Sequence, residues 1–309
     1  MNTPKPRNIL VIKLGALGDF IQALGPMRAI RKHHPHDRLV LLTTAPFESL
    51  AEQSGYFDDI LLDRRPKWHD LSGWIRLRRQ FNFWNFARVY DLQNNDRTAL
   101  YLKLFSPKPE WVGAAKGASH RNASPDRNKG LAFYGHVQTL GIGGVDNVNI
   151  DMLDWMSGKA VIEGLKKPYV LIVPGSAANR PEKRWPANYY GALSNSLLQH
   201  GYQPVLLGGP SEADVIATIL KEAPDSFDLS GKTSLEDLAS LARGAKGAIG
   251  NDTGPMHIIG PTGCKTIVLF SGASMPHRHS PLGSNIVTLQ ENDLKDLLPE
   301  KVLAAFLDQ

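Results

Sequence analysis

Short, wholly apolar runs alternate along this chain with longer stretches whose apolar residues recur every three or four positions. Ile9-Leu10-Val11-Ile12 is apolar throughout, as a strand buried on both faces requires. Beyond a Gly15–Gly18 turn, Phe20, Ile21, Leu24, Met27 and Ile30 fall at helical spacing, which predicts a helix opening at Asp19. Residues 39–42 and 89–92 repeat the strand pattern, and helical periods cover 47–53, 71–80 and 134–140. The second half restarts with a strand at 169–173, then a helix at 188–199, a strand at 204–207 and a helix at 212–220. A helix over 235–242 opens with a Thr233–Glu236 capping box. Strands at 247–250 and 266–270 flank a helix start at 255–260, and 294–307 reads as one amphipathic helix. Strands separated by helices imply parallel sheets covered on both faces, an α/β class.

At 309 residues two domains are the default, and 141–167 reads as the passage between them. We take residues 1–155 and 156–309 as the two. Residues 106–130, rich in Pro, Gly, Ser, Asn, Lys and Arg, show no hydrophobic period and read as a long functional or mobile loop.

Composition narrows the class. Hydrophobic residues make up 42% and charged residues 21%, as in a soluble globular protein, and no apolar run reaches a membrane-spanning length of ~18. Lys5 and Arg7 precede an apolar stretch, but Lys13 interrupts it and Asp19 closes it, so it reads as a first strand rather than a signal peptide. The single cysteine, Cys264, excludes an intramolecular disulfide and fits a reducing compartment. Residues 1–150 carry 21 Lys and Arg against 13 Asp and Glu, whereas 151–309 carry 14 against 17. The basic half suits an anionic partner, with solvated surface arginines as the plain alternative. Around Trp74–Trp84, arginines interleave with aromatics, which fits a helix packed on its own sheet or one lying at an anionic membrane surface.

Four segments carry candidate chemistry. Gly15-x-x-Gly18-Asp19 sits at a strand-to-helix turn, where the glycines admit a ligand and Asp19 is either a general base or a helix cap. Pro174-Gly175-Ser176, followed by Lys183-Arg184-Trp185-Pro186, places cations after a strand, where they suit a diphosphate. In Gly208-Gly209-Pro210-Ser211-Glu212, the glutamate is placed to accept from ribose hydroxyls or simply to sit at a helix start. Asn251-Asp252-Thr253-Gly254-Pro255-Met256-His257 runs from a strand into a helix N-terminus, an anion site, with Thr253 and His257 one turn apart. A dinucleotide Gly-x-Gly-x-x-Gly, a phosphate-loop Gly-Lys-Ser/Thr, a Gly-x-Ser-x-Gly elbow and an Asp-x-Asp are all missing. The missing dinucleotide fingerprint disfavours an NAD-dependent oxidoreductase. His34, His36, His277 and His279 lack zinc-site spacing and read as surface residues.

In this order the four segments resemble the ADP-heptose:lipopolysaccharide heptosyltransferases, glycosyltransferase family 9. The resemblance implies a GT-B fold: two Rossmann-like domains facing across a cleft, acceptor on the first, nucleotide sugar on the second, with a final helix that returns to the first. It implies Asp19 as catalytic base, Lys183 on the donor phosphate and Glu212 on the ribose. Asp252, Thr253, Gly254 and His257 would surround the diphosphate and sugar, with Gly15, Gly18, Ser176 and Arg184 as further candidates in the same loops. The implied reaction is inverting transfer of heptose from ADP-heptose to the anionic inner core of lipopolysaccharide. Its implied place is the cytoplasm, in peripheral contact with the inner membrane. No cofactor is obligatory, a divalent metal is not indicated, and no nucleic acid is implied. A relative using another nucleotide sugar, or a GT-B protein that binds without catalysis, remain alternatives. The stretch Ala177-Ala178-Asn179-Arg180-Pro181 lacks the paired threonines of some members.

Overall fold

The computed structural model describes residues 5–158, 162–176 and 180–308, and the chain divides into two compact units, Met1–Asp151 and Met152–Gln309. Of the departing stretch Ala177–Pro181, Ala177, Ala178 and Asn179 lie outside the described residues. In unit 1 the apolar runs form β1 (Asn8–Ile12), β2 (Arg38–Thr43), β3 (Asp59–Leu62) and β4 (Arg88–Asp91). The periodic stretches form α1 (Leu17–His33), α2 (Glu48–Ser54), α3 (Leu71–Trp84), α4 (Asp96–Tyr101) and α5 (Ala132–Ile142). With β5 (Glu110–Gly113) and β6 (His120–Arg121) the strands make one six-stranded parallel sheet, ordered β3-β2-β1-β4-β5-β6. β1 lies between β2 and β4, and Ile9, Leu10, Val11 and Ile12 are wholly buried. Phe81, Tyr101 and Trp111 pack with Leu10, Ile12 and Val40.

Unit 2 repeats the plan. Its strands are β7 (Tyr169–Val173), β8 (Gln203–Leu206), β9 (Phe227–Asp228), β10 (Gly247–Asn251), β11 (Thr266–Phe270) and β12 (Ile286–Gln290). Its helices are α6 (Ala187–Gln199), α7 (Ala213–Glu222), α8 (Leu235–Gly244), α9 (Gly254–Ile259), α10 (Pro276–His279) and α11 (Pro299–Leu307). The parallel sheet runs β12-β11-β10-β7-β8-β9. Counted from each unit's first strand, the two sheets share one strand order, that of a Rossmann domain. The order reverses between β1 and β4 and between β7 and β10, where the crevice outside the strands' carboxyl ends receives ligands.

The structure amends several expectations. The polar stretch 106–130 is not a bare loop: it holds β5, β6 and a 3-10 turn, Pro125–Asn128. Trp111 and Val112 are fully buried there, but two apolar residues among polar ones leave no readable period. The 294–307 helix is broken. Leu294–Asp296 is a 3-10 turn, Leu298 is extended, and α11 starts at Pro299, because the residue before proline is driven from helical geometry. Val302 and Phe306 of α11 sit in unit 2's core with Trp185 and Tyr190. The α8 capping box is shifted by one residue: Ser234 Oγ accepts from Asp237 N–H at 3.2 Å, and Asp237 returns the bond to Ser234 N–H at 2.8 Å. His34 is buried, not superficial, its ring bonded to the Tyr90 hydroxyl and Asp37, each at 2.9 Å. Among the described residues no helix is long and apolar enough to cross a membrane.

Candidate functional site

The strand reversal of unit 1 is built around a lysine. Lys13 leaves β1 with its backbone N–H on Leu42 O at 3.0 Å and its side chain only 3% exposed. Burial lowers its pKa, and the fields of Asp19 and Asp91 oppose that fall. Asp91 ends β4, and its Oδ1 accepts from the N–H groups of Gln93 (3.1 Å) and Asn94 (2.8 Å). Burial pushes its carboxyl up to about 6, against the pull of the Asn94 N–H and of Lys13. Gln93 Oε1 accepts from Leu14 N–H at 2.9 Å, which ties the β4 loop to the β1 loop. Gly15 follows at φ +118°, and a Cβ there would stand 2.6 Å from the Phe47 ring, so glycine is required.

Asp19 lies in the first turn of α1, whose N-cap Ala16 has no side-chain bond, so Asp19 is not the cap. Its carboxylate is exposed and makes no hydrogen bond or ion pair among the described residues. It lines a polar cavity of about 130 Å³ with Lys13, Asn94, Arg127, Asn128 and His136. His136, on α5, is 6% exposed and its Nε2 is without a partner. Burial, helped by Lys13, holds its pKa well below the usual value, so the ring is neutral. The cavity thus joins a buried amine, an arginine, an unpaired imidazole nitrogen and a free carboxylate.

Unit 2's reversal opens a larger cavity of about 520 Å³, with Ser176, Gly209, Glu212 and Thr253 on its polar side and Leu207, Leu235 and Leu238 on its apolar side. Glu212 ends a 3-10 turn before α7 and is 9% exposed. Its Oε2 accepts from Gly209 N–H at 2.9 Å and its Oε1 from Ser211 Oγ at 2.7 Å, leaving each oxygen a further lone pair. Ser211 bonds Glu212 and is not the N-cap; Gly209 holds that position. Ser176 Oγ is buried with no partner among the described residues. Beside it, Lys183 Nζ meets Asp252 Oδ2 at 2.8 Å, and both side chains are largely buried. Asn251, wholly buried, holds the loops in register: its Oδ1 accepts from Trp185 N–H at 3.0 Å and its Nδ2 donates to Pro174 O at 2.8 Å. Arg184 donates to Ser176 O at 2.9 Å. Thr253 is the N-cap of α9 without spending its hydroxyl on the cap, Gly254 begins the helix, and His257 is buried one turn in. No cluster of three or more His, Cys, Asp or Glu suited to a metal occurs among the described residues.

The loops of unit 2 fall within a known sequence profile. The family model for glycosyltransferase family 9 (heptosyltransferase) matches residues 145–302, just over half of the chain. The chain belongs to glycosyltransferase family 9. A lipooligosaccharide heptosyltransferase 2 of Haemophilus influenzae is 29% identical over 136 residues, which is 42% of this chain and 39% of that protein. The chain thus spans about two fifths of that relative's length. Among solved structures, a family 9 glycosyl transferase from Veillonella parvula superposes with a TM-score of 0.81 at 21% identity, covering 97% of this chain and 95% of that one. The Escherichia coli heptosyltransferase WaaC, solved with ADP-2-deoxy-2-fluoro heptose, gives 0.73 at 17% identity over 96% and 97%. Both likenesses fix the fold, the α/β GT-B class.

The residues picked from the sequence of this family 9 member fall into two groups, one per unit. Gly15, Gly18 and Asp19 share the turn into α1; Ser176, Glu212 and Thr253 line the unit 2 cavity. Lys183, Arg184 and Asp252 stand in the adjoining loops, and Gly254 and His257 in the first turn of α9. Lys13, Asn94, Arg127, Asn128 and His136 were missed as lining residues. The readable signal was Lys13 itself, a cation that interrupts an apolar stretch.

Proposed function

We propose that the chain is a glycosyltransferase moving heptose from ADP-heptose to the anionic inner core of lipopolysaccharide. The contrast between the cavities at the two strand reversals carries this reading; a further unit 1 cavity of about 420 Å³, lined by Asp63, Arg64 and Leu77, lies away from the reversal, between β3 and α3. A nucleotide needs a site of several hundred Å³ with an apolar wall and few polar groups, and the 520 Å³ cavity of unit 2 has that size and lining. Its leucines would hold the base and Glu212 the ribose hydroxyls; Ser176, Thr253 and Lys183 would take the phosphates. The 130 Å³ cavity at unit 1's strand reversal is too small for a nucleotide but suits an anionic group and a hydroxyl of an acceptor.

In the proposed step an acceptor oxygen attacks the anomeric carbon as its bond to the donor phosphate breaks. The electron pair leaves on the diphosphate, the hydroxyl proton passes to Asp19, and one displacement inverts the centre. General-base help of this kind is worth on the order of 10²–10⁴ in rate. Lys183 would meet the charge growing on the leaving group. Asp19→Ala should lose transfer by about that factor while keeping its melting temperature and its ADP affinity by calorimetry. Parent-like turnover by the folded variant refutes the role of Asp19.

A further inference from the structure

A lysine that meets a ligand binds best when it is held in place beforehand, because its long stem is flexible and ordering it costs affinity. Among the described residues the Lys183 ammonium is held by one group, the Asp252 carboxylate, with Nζ 2.8 Å from Oδ2. That spends one of its three donors. The Asp252 carboxylate would itself turn broadly about its last side-chain bond. Ser274 fixes it: the buried Ser274 Oγ donates to the same Oδ2 at 2.5 Å. Among the described residues no third group bonds the Asp252 side chain. His279 Nδ1, 3.3 Å from Ser274 Oγ, already accepts from Met275 N–H, so the hydroxyl proton is left for Asp252. The Ser274 backbone is anchored on both sides. Its N–H donates to Ser271 O, just past β11, at 3.1 Å, and its carbonyl accepts from Gln290 Nε2 of β12, also at 3.1 Å. β11 and β12 run parallel to β10, so the sheet delivers the hydroxyl to the carboxyl end of β10, where Asp252 stands.

We infer that Ser274 is a positioning residue: its hydroxyl fixes Asp252, and through Asp252 it holds the Lys183 ammonium ready for the donor phosphate. The inference rests on the reading of Lys183 as a phosphate ligand. One bond has two effects. It sets the plane of the carboxylate, so that Oδ2 stays on Lys183 and the two unspent N–H groups of the ammonium keep one direction. It also tempers the carboxylate's charge, since a bare carboxylate beside a diphosphate repels it, whereas two donors converging on Oδ2 offset that charge. Hydrogen bonds to an ionised acceptor are the strong ones, and this pair is largely buried, so solvent screens it little.

The test is calorimetric titration of the full chain with ADP alone, beside a nitrogen NMR spectrum of its lysine ammonium groups. S274A, checked to keep the parent's melting temperature, should weaken ADP binding about tenfold. S274C keeps the shape of the side chain but donates weakly, and should follow S274A. In a D252A background S274A should change the affinity by less than about twofold, because the hydroxyl has lost the group through which it acts. The Lys183 ammonium signal, assigned by its absence in K183M, is expected in the parent and lost in S274A and S274C, as the loosened ammonium exchanges its protons with water. Parent-like ADP affinity in S274A and S274C, an equal loss in the D252A background, or an unchanged Lys183 signal overturns the inference. Failure of the parent to bind ADP would instead overturn the donor reading, and the ammonium signal would then decide whether Ser274 holds Lys183.

Discussion

Asp91 offers a quantitative test of how unit 1's loops are held. Its carboxyl is buried and raised from 3.8 to about 6, so the folded state holds the proton more tightly than the unfolded chain. An acid raised in this way contributes full stability below pH ~4, loses it as pH rises to ~6, and is level above that. The size follows from ~1.36 kcal/mol per pH interval of one, giving about 3 kcal/mol in all. Asp91→Asn removes the ionisation yet keeps an Oδ1 acceptor for the N–H groups of Gln93 and Asn94. The urea stability of parent and variant should therefore converge near pH 4 and diverge by about 3 kcal/mol by pH 7, with the variant the more stable. Groups that do not interact with Asp91 cancel in the difference. Tryptophan fluorescence serves as the probe, because Trp74, Trp84 and Trp111 belong to unit 1 and Trp111 is fully buried. At a urea slope of ~1–3 kcal/mol/M the midpoint difference is about 1–3 M. A difference curve flat within about 0.5 kcal/mol from pH 4 to 8 would refute the assignment of a raised carboxyl at Asp91.

Two further outcomes concern unit 2. Asn251→Ala strands the Trp185 N–H and the Pro174 carbonyl, and at ~1–3 kcal/mol per orphaned group it should cost about 2–6 kcal/mol. Hydrogen exchange should show lost protection at Trp185, and a cost under about 1 kcal/mol would mean the clamp contributes little. Lys183→Met should weaken ADP binding at least about tenfold in calorimetry, since it removes the cation and leaves Asp252 beside the phosphates. An unchanged dissociation constant would take Lys183 off the phosphate.

Legibility in the sequence followed how much each element relies on its own residues. β1, β2, β7 and β11 are buried on both faces and announce themselves as apolar runs. β3, β6, β9 and β12 are short or lie toward the sheet edges, where neighbours complete them and local pattern fades. β5 was hidden for a related reason, since Trp111 and Val112 gain their burial only through long-range packing. The turns that hold candidate chemistry were readable because tight strand-to-helix connections need particular residues: Gly15 for its positive φ, Pro255 near a helix start, Glu212 in reach of Gly209 N–H. His136 and Arg127 reach the same cavity as Asp19 from more than a hundred residues away, and no spacing rule links positions so distant.

Shared strand order does not make the two crevices alike, and glycine placement is a large part of why. In unit 2, Gly175 and Gly208 lie where a Cβ would stand 3.0 and 2.9 Å from Glu212, and a Cβ on Gly250 would press to 2.7 Å on the Val173 carbonyl. Those three positions let β7, β8 and β10 end close together while Glu212 stays in the cavity wall. In unit 1 the matching space is occupied: Gln93 reaches across from β4 to Leu14, and His136 fills in from α5. One scaffold thus yields a nucleotide-sized cavity where backbones approach bare. Where side chains bridge the reversal, it leaves a narrow cationic slot holding a free carboxylate. The proposal that unit 2 takes the donor and unit 1 the acceptor rests on that difference in space and charge, since fold alone would permit either arrangement.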